Sequence, residues 1–438
     1  VTEIDLADRV AARAPKGLAF TWNVEGEDSD FVRFNHGKVR QPGSVQQAMA
    51  TLRLLDGDRH ASLDLTLSGD AAVDGARVDD AVDRLVSLLP MVPPDPHLLR
   101  PQGPVDTHQE SPVSLPPAPE VARQITEAAA DLDLVGIYAG GTLWRGFADE
   151  RGQRNRFSAG GMLFDYSLVC SADKAVKRSF GGPSWSVDAL HESLAGARRA
   201  LEVLARPSRR VPPGRYRAWL EPAATAELLG LFAQDGFSAR AHRLGSGCGN
   251  LLVRGERALR PEVVISESTA SSGGPRFQRD GFVKPESVPL IDGGRLAGSL
   301  VSPRSAVEYG LTTNGATSSE SPRALSMAPG ALPSAAALAA LGTGVWISNL
   351  WYLNFSDRNA ARMTGMTRFA TFWVEGGELV APLDVMRFDA SWYDLFGDDL
   401  EAVGAEALVM PSASTYESRS TDVVTAPGLL LKAMPFTL

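Results

Sequence analysis

The residues of this chain whose types could do chemistry are a His-Glu pair on a helix, a cysteine between glycines, and scattered carboxylates. His191-Glu192, in DALHESLAGARRALEVLA (188–205), opens a pattern that presents histidines and a carboxylate to zinc from one helix face. The second histidine is missing, since positions 194 to 197 read Leu, Ala, Gly, Ala. Positions 190, 194, 197, 201 and 204 form the apolar face, so His191 flanks the core and Glu192 faces water. The chain has six histidines, and none pairs with another at ligand spacing. Cys248, in LGSGCGN, has glycines that could free a sharp elbow or a nest of amides. A nucleophilic thiol needs a base, and His242, the nearest histidine in sequence, carries no recognisable partner motif. Asp398, Asp399 and Glu401 lack the spacing of an acid-base pair. SSGGPRFQRDGF (271–282) reads as a surface loop long enough to bind something. A Gly-rich loop alone is not a phosphate cradle, and no P-loop lysine follows this one.

Such residues need a scaffold. At 438 residues the chain exceeds one ordinary domain of about 100–200 residues. An apolar fraction of 44% with 22% charged residues allows substantial cores. The net charge of −9 argues against a nucleic-acid or anionic-membrane surface, which needs a positive footprint. Two cysteines make no disulfide framework and suit a reducing compartment. The opening VTEIDLADRVAARAPKG lacks the apolar core of a signal peptide, and no segment is apolar enough to span a bilayer. A soluble, cytoplasmic protein is expected.

The first helix is expected over about 2–13, with Ile4, Leu6, Val10 and Ala11 near one face. Strand runs follow in GLAFTWNVE, DFVRFNHG, QQAMATLRLLDG and RHASLDLTLS, then a helix over 70–89 with Val73, Val78, Val82, Leu85 and Leu88 at helical spacing. The Pro-rich 90–120 segment reads as a long irregular connection. Helix, strand meander and helix then recur, suggesting two similar halves, 1–89 and 119–206, in an N-terminal α+β domain of residues 1–210. RPSRRVPPGRYR (206–217) reads as a solvated linker. Residues 211–438 read as a mainly antiparallel β domain that opens with a strand and a helix in RAWLEPAATAELLGLF and contains a hairpin at Gly376-Gly377.

Several segments, in collinear order, resemble the TldD/PmbA family. They are DFVRFNHGKVRQPGSVQQAMATLRLLDG, PPGRYRAWLEPAATAELLGLF, RDGFVKPESVPLIDGGRLAGSLVSPRSAVEYGLTTNGA, GTGVWISNLW and TGMTRFATFWVEGGELVAPL. The resemblance implies an α+β fold and paired subunits, one of TldD type holding zinc through HExxxH and a distal cysteine, the other of PmbA or TldE type without metal. In zinc-bearing members HExxxH lies on the helix after the strand matched by 215–220. Here that helix has Glu221 and Glu227 but no histidine, and no cysteine follows Cys248. Thr364-Gly365-Met366 also lacks the acidic residue of the family's Thr-Gly-Asp pattern. The resemblance therefore implies a non-zinc subunit, binding no cofactor itself and pairing with a TldD-type zinc partner to cleave extended, unfolded peptides. Glu221, Glu227, His242, Cys248, Thr364 and Gly365 are candidates for the cleft or the partner-facing surface. Two rivals stand beside this expectation: a stand-alone hydrolase using Cys248 or carboxylates, and a homodimeric peptide-binding protein. Gyrase modulation is a label of the family, and nothing in the sequence supports direct DNA contact.

Overall fold

The computed structural model describes residues 3–171 and 173–437. After a 3-10 turn come α1 (Leu6–Arg13), β1 (Ala19–Asn35), β2 (Lys38–Asp56), β3 (Arg59–Leu67) and α2 (Ala71–Leu88). The expected start of the first helix at residue 2 lies outside the described residues. Asp70 starts α2 by accepting the Ala72 and Val73 N–H groups, two of the donors a helix cannot satisfy itself. The element order then recurs in α3 (Ala118–Ala128), β5 (Leu134–Asp149), β6 (Arg154–Ser171), β7 (Lys174–Gly182) and α4 (Val187–Leu204), preceded by β4 (Thr107–Ser111).

These strands form one sheet in the order β3-β2-β1-β5-β6, with β4 and β7 both on β6. β1 and β5 pair antiparallel from Thr21↔Asp149 to Phe34↔Gly136, joining the two helix–meander–helix units edge to edge. Several details differ from the sequence reading. GLAFTWNVE and DFVRFNHG are one strand, β1, whose polar middle stays in the ladder. Its start (Phe20, Trp22, Val24) packs in one core with α1 and α2, and its end (Val32, Phe34) in another with α3 and α4. Glu27 and Ser29 of that middle are buried where Arg419 reaches them, donating to Ser29 Oγ at 3.1 Å, to the Gly161 carbonyl at 2.7 Å and through its backbone N–H to Glu27 at 3.3 Å. Ala7 rather than Ala11 completes the buried face of α1. Val73 and Leu88 are exposed at the ends of α2, whose Val78, Val82 and Leu85 alone of the named set are buried. The 90–120 segment is not wholly irregular, since β4 pairs in parallel with Asn155–Ala159 and α3 begins inside it.

β8 (Gly214–Leu220) and α5 (Pro222–Phe232) begin the second sheet region, followed by α6 (Ala239–Leu244). The main path of this 13-stranded sheet runs Arg295–Leu296, Val288–Asp292, Ile265–Glu267, Ala324–Met327, Val423–Phe436, β8, Gly344–Ile347, Thr371–Glu375 and Glu378–Pro382. Most pairs are antiparallel, and the last two strands turn at Gly376 and Gly377, both at positive φ. The class is α+β with a β-rich C-terminal region.

Two segments expected to be solvated instead clamp the sheets together. Arg209 pairs with Glu375 and lies over the Trp373 ring, 4.7 Å from its centroid. The 271–282 loop buries Phe277 with Phe147 and Phe157 of the first sheet. Gly281 (φ 84°) lies flat on Phe147, where a Cβ would come within 2.3 Å of the ring. Among the described residues no helix is long and apolar enough to cross a membrane.

Candidate functional site

α5 is the element where the sequence expects chemistry, and its position follows from its composition. Ala224, Thr225, Ala226, Leu228, Leu229, Leu231 and Phe232 are buried, so the helix is gripped on nearly all sides. Pro222 occupies its first turn, where a missing N–H costs nothing. Glu221, just before it, accepts from Trp346 Nε1 at 2.7 Å and lies 3.5 Å from Arg178 of β7. That link ties the helix start to both sheets.

Glu227, midway along α5, points into a polar seam against the first sheet. The Leu350 N–H donates to its Oε2 at 2.5 Å. Burial pushes its carboxyl up to about 7, while the Leu350 N–H, the Lys177 ammonium and the Asn349 side chain pull it down and Asp165 pushes it further up. Asp165 of β6 is itself raised, chiefly by burial, with Lys177 Nζ 3.8 Å away opposing the shift. Ser179 also faces the Asp165 carboxyl and opposes its shift, while Ser348 Oγ and Asn349 Oδ1 are buried with no hydrogen-bond partner among the described residues. Orphaned buried polar atoms are rare in folded proteins, and two on adjacent residues beside a buried carboxyl mark this seam out from ordinary packing. Chemically, a carboxyl titrating near neutrality can hold and return a proton. The seam offers no activated nucleophile of its own.

The other candidate residues are used structurally. His242 lies in the last turn of α6, where its Nε2 faces the Gly236 carbonyl at 2.9 Å and its Nδ1 faces Ser299 Oγ at 3.0 Å. Donation to the carbonyl fixes the neutral tautomer, and burial lowers its pKa. Cys248 is fully buried, its thiol donating to the Phe232 carbonyl at 3.1 Å, and burial with Asp235 nearby pushes its pKa far up. A thiolate is the nucleophilic form, and burial holds the Cys248 thiol in its protonated form. Gly249 beside it has no room for a side chain, since a Cβ would come within 2.1 Å of the Gly236 carbonyl. In the folded chain iodoacetamide should therefore modify the half-buried Cys170 and spare Cys248, with both reacting after denaturation; peptide mass mapping reads this directly.

Thr364 and Gly365 sit on the strand Arg362–Met366, between the strands Trp351–Asp357 and Arg387–Ser391. Thr364 Oγ1 donates to the Phe388 carbonyl at 3.0 Å, and a Cβ on Gly365 would meet the Phe388 ring at 2.8 Å. Asp399 and Glu401 pair with Arg215 and Arg217 on β8. His191 and Glu192 are exposed on α4.

The seam thus unites Glu227 and, at its rim, Glu221 with Asp165, Lys177, Ser348 and Asn349, which sequence reasoning missed. A signal existed for Asp165, a lone carboxylate inside the apolar run MLFDYSLV. A zinc centre does not fit these donors. The residues flanking Glu227 on α5 are alanines and leucines, His242 and Cys248 are occupied, and among the described residues no three of His, Cys, Asp and Glu gather as a ligand set.

Residues 213–437 match the family described as the PmbA/TldA metallopeptidase C-terminal domain. The whole fold is similar to that of a proposed modulator of a DNA gyrase from Thermotoga maritima, with TM-score 0.79, 14% identity and 99% of each chain covered. TldE from Thermococcus kodakarensis gives TM-score 0.76 at 12% identity, covering 96% of this chain and 97% of that one. A proposed modulator of DNA gyrase from Bacteroides thetaiotaomicron gives 0.69 at 13% identity, covering 99% and 97%. No curated protein matches the chain in sequence.

Proposed function

The chain belongs to the TldD/PmbA family, and from that premise we propose that it is a non-zinc, PmbA/TldE-type subunit of a TldD/TldE-type metallopeptidase complex. The zinc comes from a TldD-type partner, and the substrate is an unfolded peptide held as an extended strand in the chamber the two subunits close. The observation that carries this reading is α5. The helix on which zinc-bearing members place HExxxH is filled here with alanine and leucine, and the same helix is clamped into a fold like that of a TldE. Edge strands of the β-rich region suit backbone pairing with peptide, which tolerates varied sequences. The two free cysteines agree with a cytoplasmic setting.

Co-expression with an HExxxH-bearing relative from the same organism tests the proposal. A hetero-oligomer should form, with zinc only in the partner, and casein cleavage should need the partner and stop on chelation. Casein hydrolysis by the isolated chain that a chelator abolishes would overturn the reading. A stable homodimer that binds extended peptides, ignores the partner and turns nothing over would replace it with the binding-protein rival.

A further inference from the structure

The loop SSGGPRFQRDGF (271–282), which lies on the first sheet, is nearly self-contained. Phe277 and Val283 bridge antiparallel, the Gln278 N–H donates to the Phe282 carbonyl at 3.0 Å, and the Lys284 N–H donates to the Arg276 carbonyl at 2.8 Å. Among the described residues none of its backbone groups bonds to the backbone of the first sheet. Side chains fasten it instead. Arg53 meets Asp280 at 3.0 Å, Arg279 donates to Thr51 Oγ1 at 2.7 Å, and Gln109 and Gln153 donate to the Gly274 and Gly281 carbonyls. Phe277, 1% exposed, seats against Phe147 and Phe157.

Beneath the loop, polar groups are left unpaired. β1 sets Asn23 between Thr51 of β2 and Phe147 of β5, the residues that Arg279 and Gly281 touch. Trp22 and Val24 pack with α1 and α2, so Asn23, alternating with them, faces the loop. It is 3% exposed, and neither its Nδ2 nor its Oδ1 has a hydrogen-bond partner among the described residues. Gln153 Oε1 and Gln278 Nε2, on side chains buried at the same contact, are likewise unpaired. An amide buried without a partner has lost its water and gained nothing, so it destabilises the arrangement that buries it.

The closed position is therefore a balance. Phe277 and the Arg53–Asp280 pair hold the loop down, while the four unpaired amide atoms favour its release. Release breaks no backbone hydrogen bond to the sheet and returns the amides to water. Gly273, before the fastened part, has φ 68° and open space where a Cβ would stand, so the chain can pivot there. We propose that residues 275–282 form a strap that lifts from the first sheet while the rest of the chain stays folded, uncovering Phe147, Phe157 and the amides of Asn23 and Gln153. The strap thereby gates a face of aromatic rings and amides that the closed chain seals. Opening needs no partner subunit, so the isolated full chain tests it whatever becomes of the peptidase reading.

Trypsin digestion of the native chain reads the opening, because the Arg276–Phe277 bond can enter a protease only after Phe277 leaves Phe147 and Phe157. Mass mapping should show this bond cut in the wild-type chain at a rate that low urea hardly changes, as for a local opening that exposes little surface. Cutting there only in urea that unfolds the whole chain would overturn the proposal. Asn23→Leu removes both unpaired atoms at nearly constant shape and should slow the cut about fivefold or more. Gly281→Ala, whose Cβ would come within 2.3 Å of the Phe147 ring, should speed it about tenfold. An Asn23→Leu chain cut as fast as the wild type, or faster, would equally overturn the strap. The wild-type measurement decides even if a variant fails to fold.

Discussion

Glu227→Gln unfolds at higher denaturant concentration than the parent chain at about pH 8, and at nearly the same concentration at about pH 4. The ordinary pKa of the residue is 4.5, and burial lifts it to about 7 in the fold. Below the ordinary value both states are protonated, and the carboxyl carries no penalty. As pH rises from 4.5 towards 7 the unfolded chain ionises while the fold keeps its proton, so stability is lost across that window. Above it the deficit is constant, on the order of 3 kcal/mol at most for a shift of this size. Glutamine copies the protonated shape, keeps an acceptor for the Leu350 N–H and never ionises, so the variant escapes the deficit. Urea denaturation at both pH values reads the difference. A variant less stable than the parent at the higher pH would mean that Lys177 holds an ionised Glu227, and the proton-holding role would fall.

The second large effect is structural. Trp392 is fully buried, stacked on Phe232 at the end of α5 with centroids 3.8 Å apart and on Phe396 at 4.4 Å. Trp392→Ala empties a fully buried indole from the principal core of the β-rich region and should cost about 3–5 kcal/mol, measured as a fall in denaturation midpoint. Because the Phe232 carbonyl accepts the Cys248 thiol, loosening that ring should also speed Cys248 alkylation in the native state. Trp392→Phe keeps most of the stacking and should lose far less. A loss below about 1 kcal/mol for the alanine variant would show that the core collapses around the gap and that α5 does not depend on the stack.

Most local elements were readable because period and punctuation are local properties. Asp70 before an apolar 3.6-residue pattern marks α2, and Gly376-Gly377 between apolar runs marks a hairpin. EGEDSD resembles a turn, and only distant partners make it strand: β2 and β5 pair with it on both sides, and Arg419, some 390 residues away, meets its buried Ser29. Val73 and Leu88 fit the helical period yet face solvent, since the apolar stripe of α2 ends where its neighbours end. The Arg-rich 206–217 segment and the 271–282 loop looked solvated because their partners, Glu375 with Trp373 and Phe147 with Phe157, come from distant strands.

By itself the sequence determined what α5 lacks. The absence of histidine on that helix and of any cysteine after Cys248 is a property of residue types, legible before any fold is known. The α+β class and the family followed from the order of apolar runs and short motifs. Only the tertiary structure decided what stands there instead. Lys177 and Asp165, on strands β7 and β6 of the other sheet, add their charges to the surroundings of Glu227, and desolvation in the closed fold, not the identity of the side chain, moves the glutamate to a proton affinity near neutrality. The same burial that raises Glu227 silences Cys248 and His242, because a pKa reports the medium around a group, and that medium exists only once distant strands have closed over it.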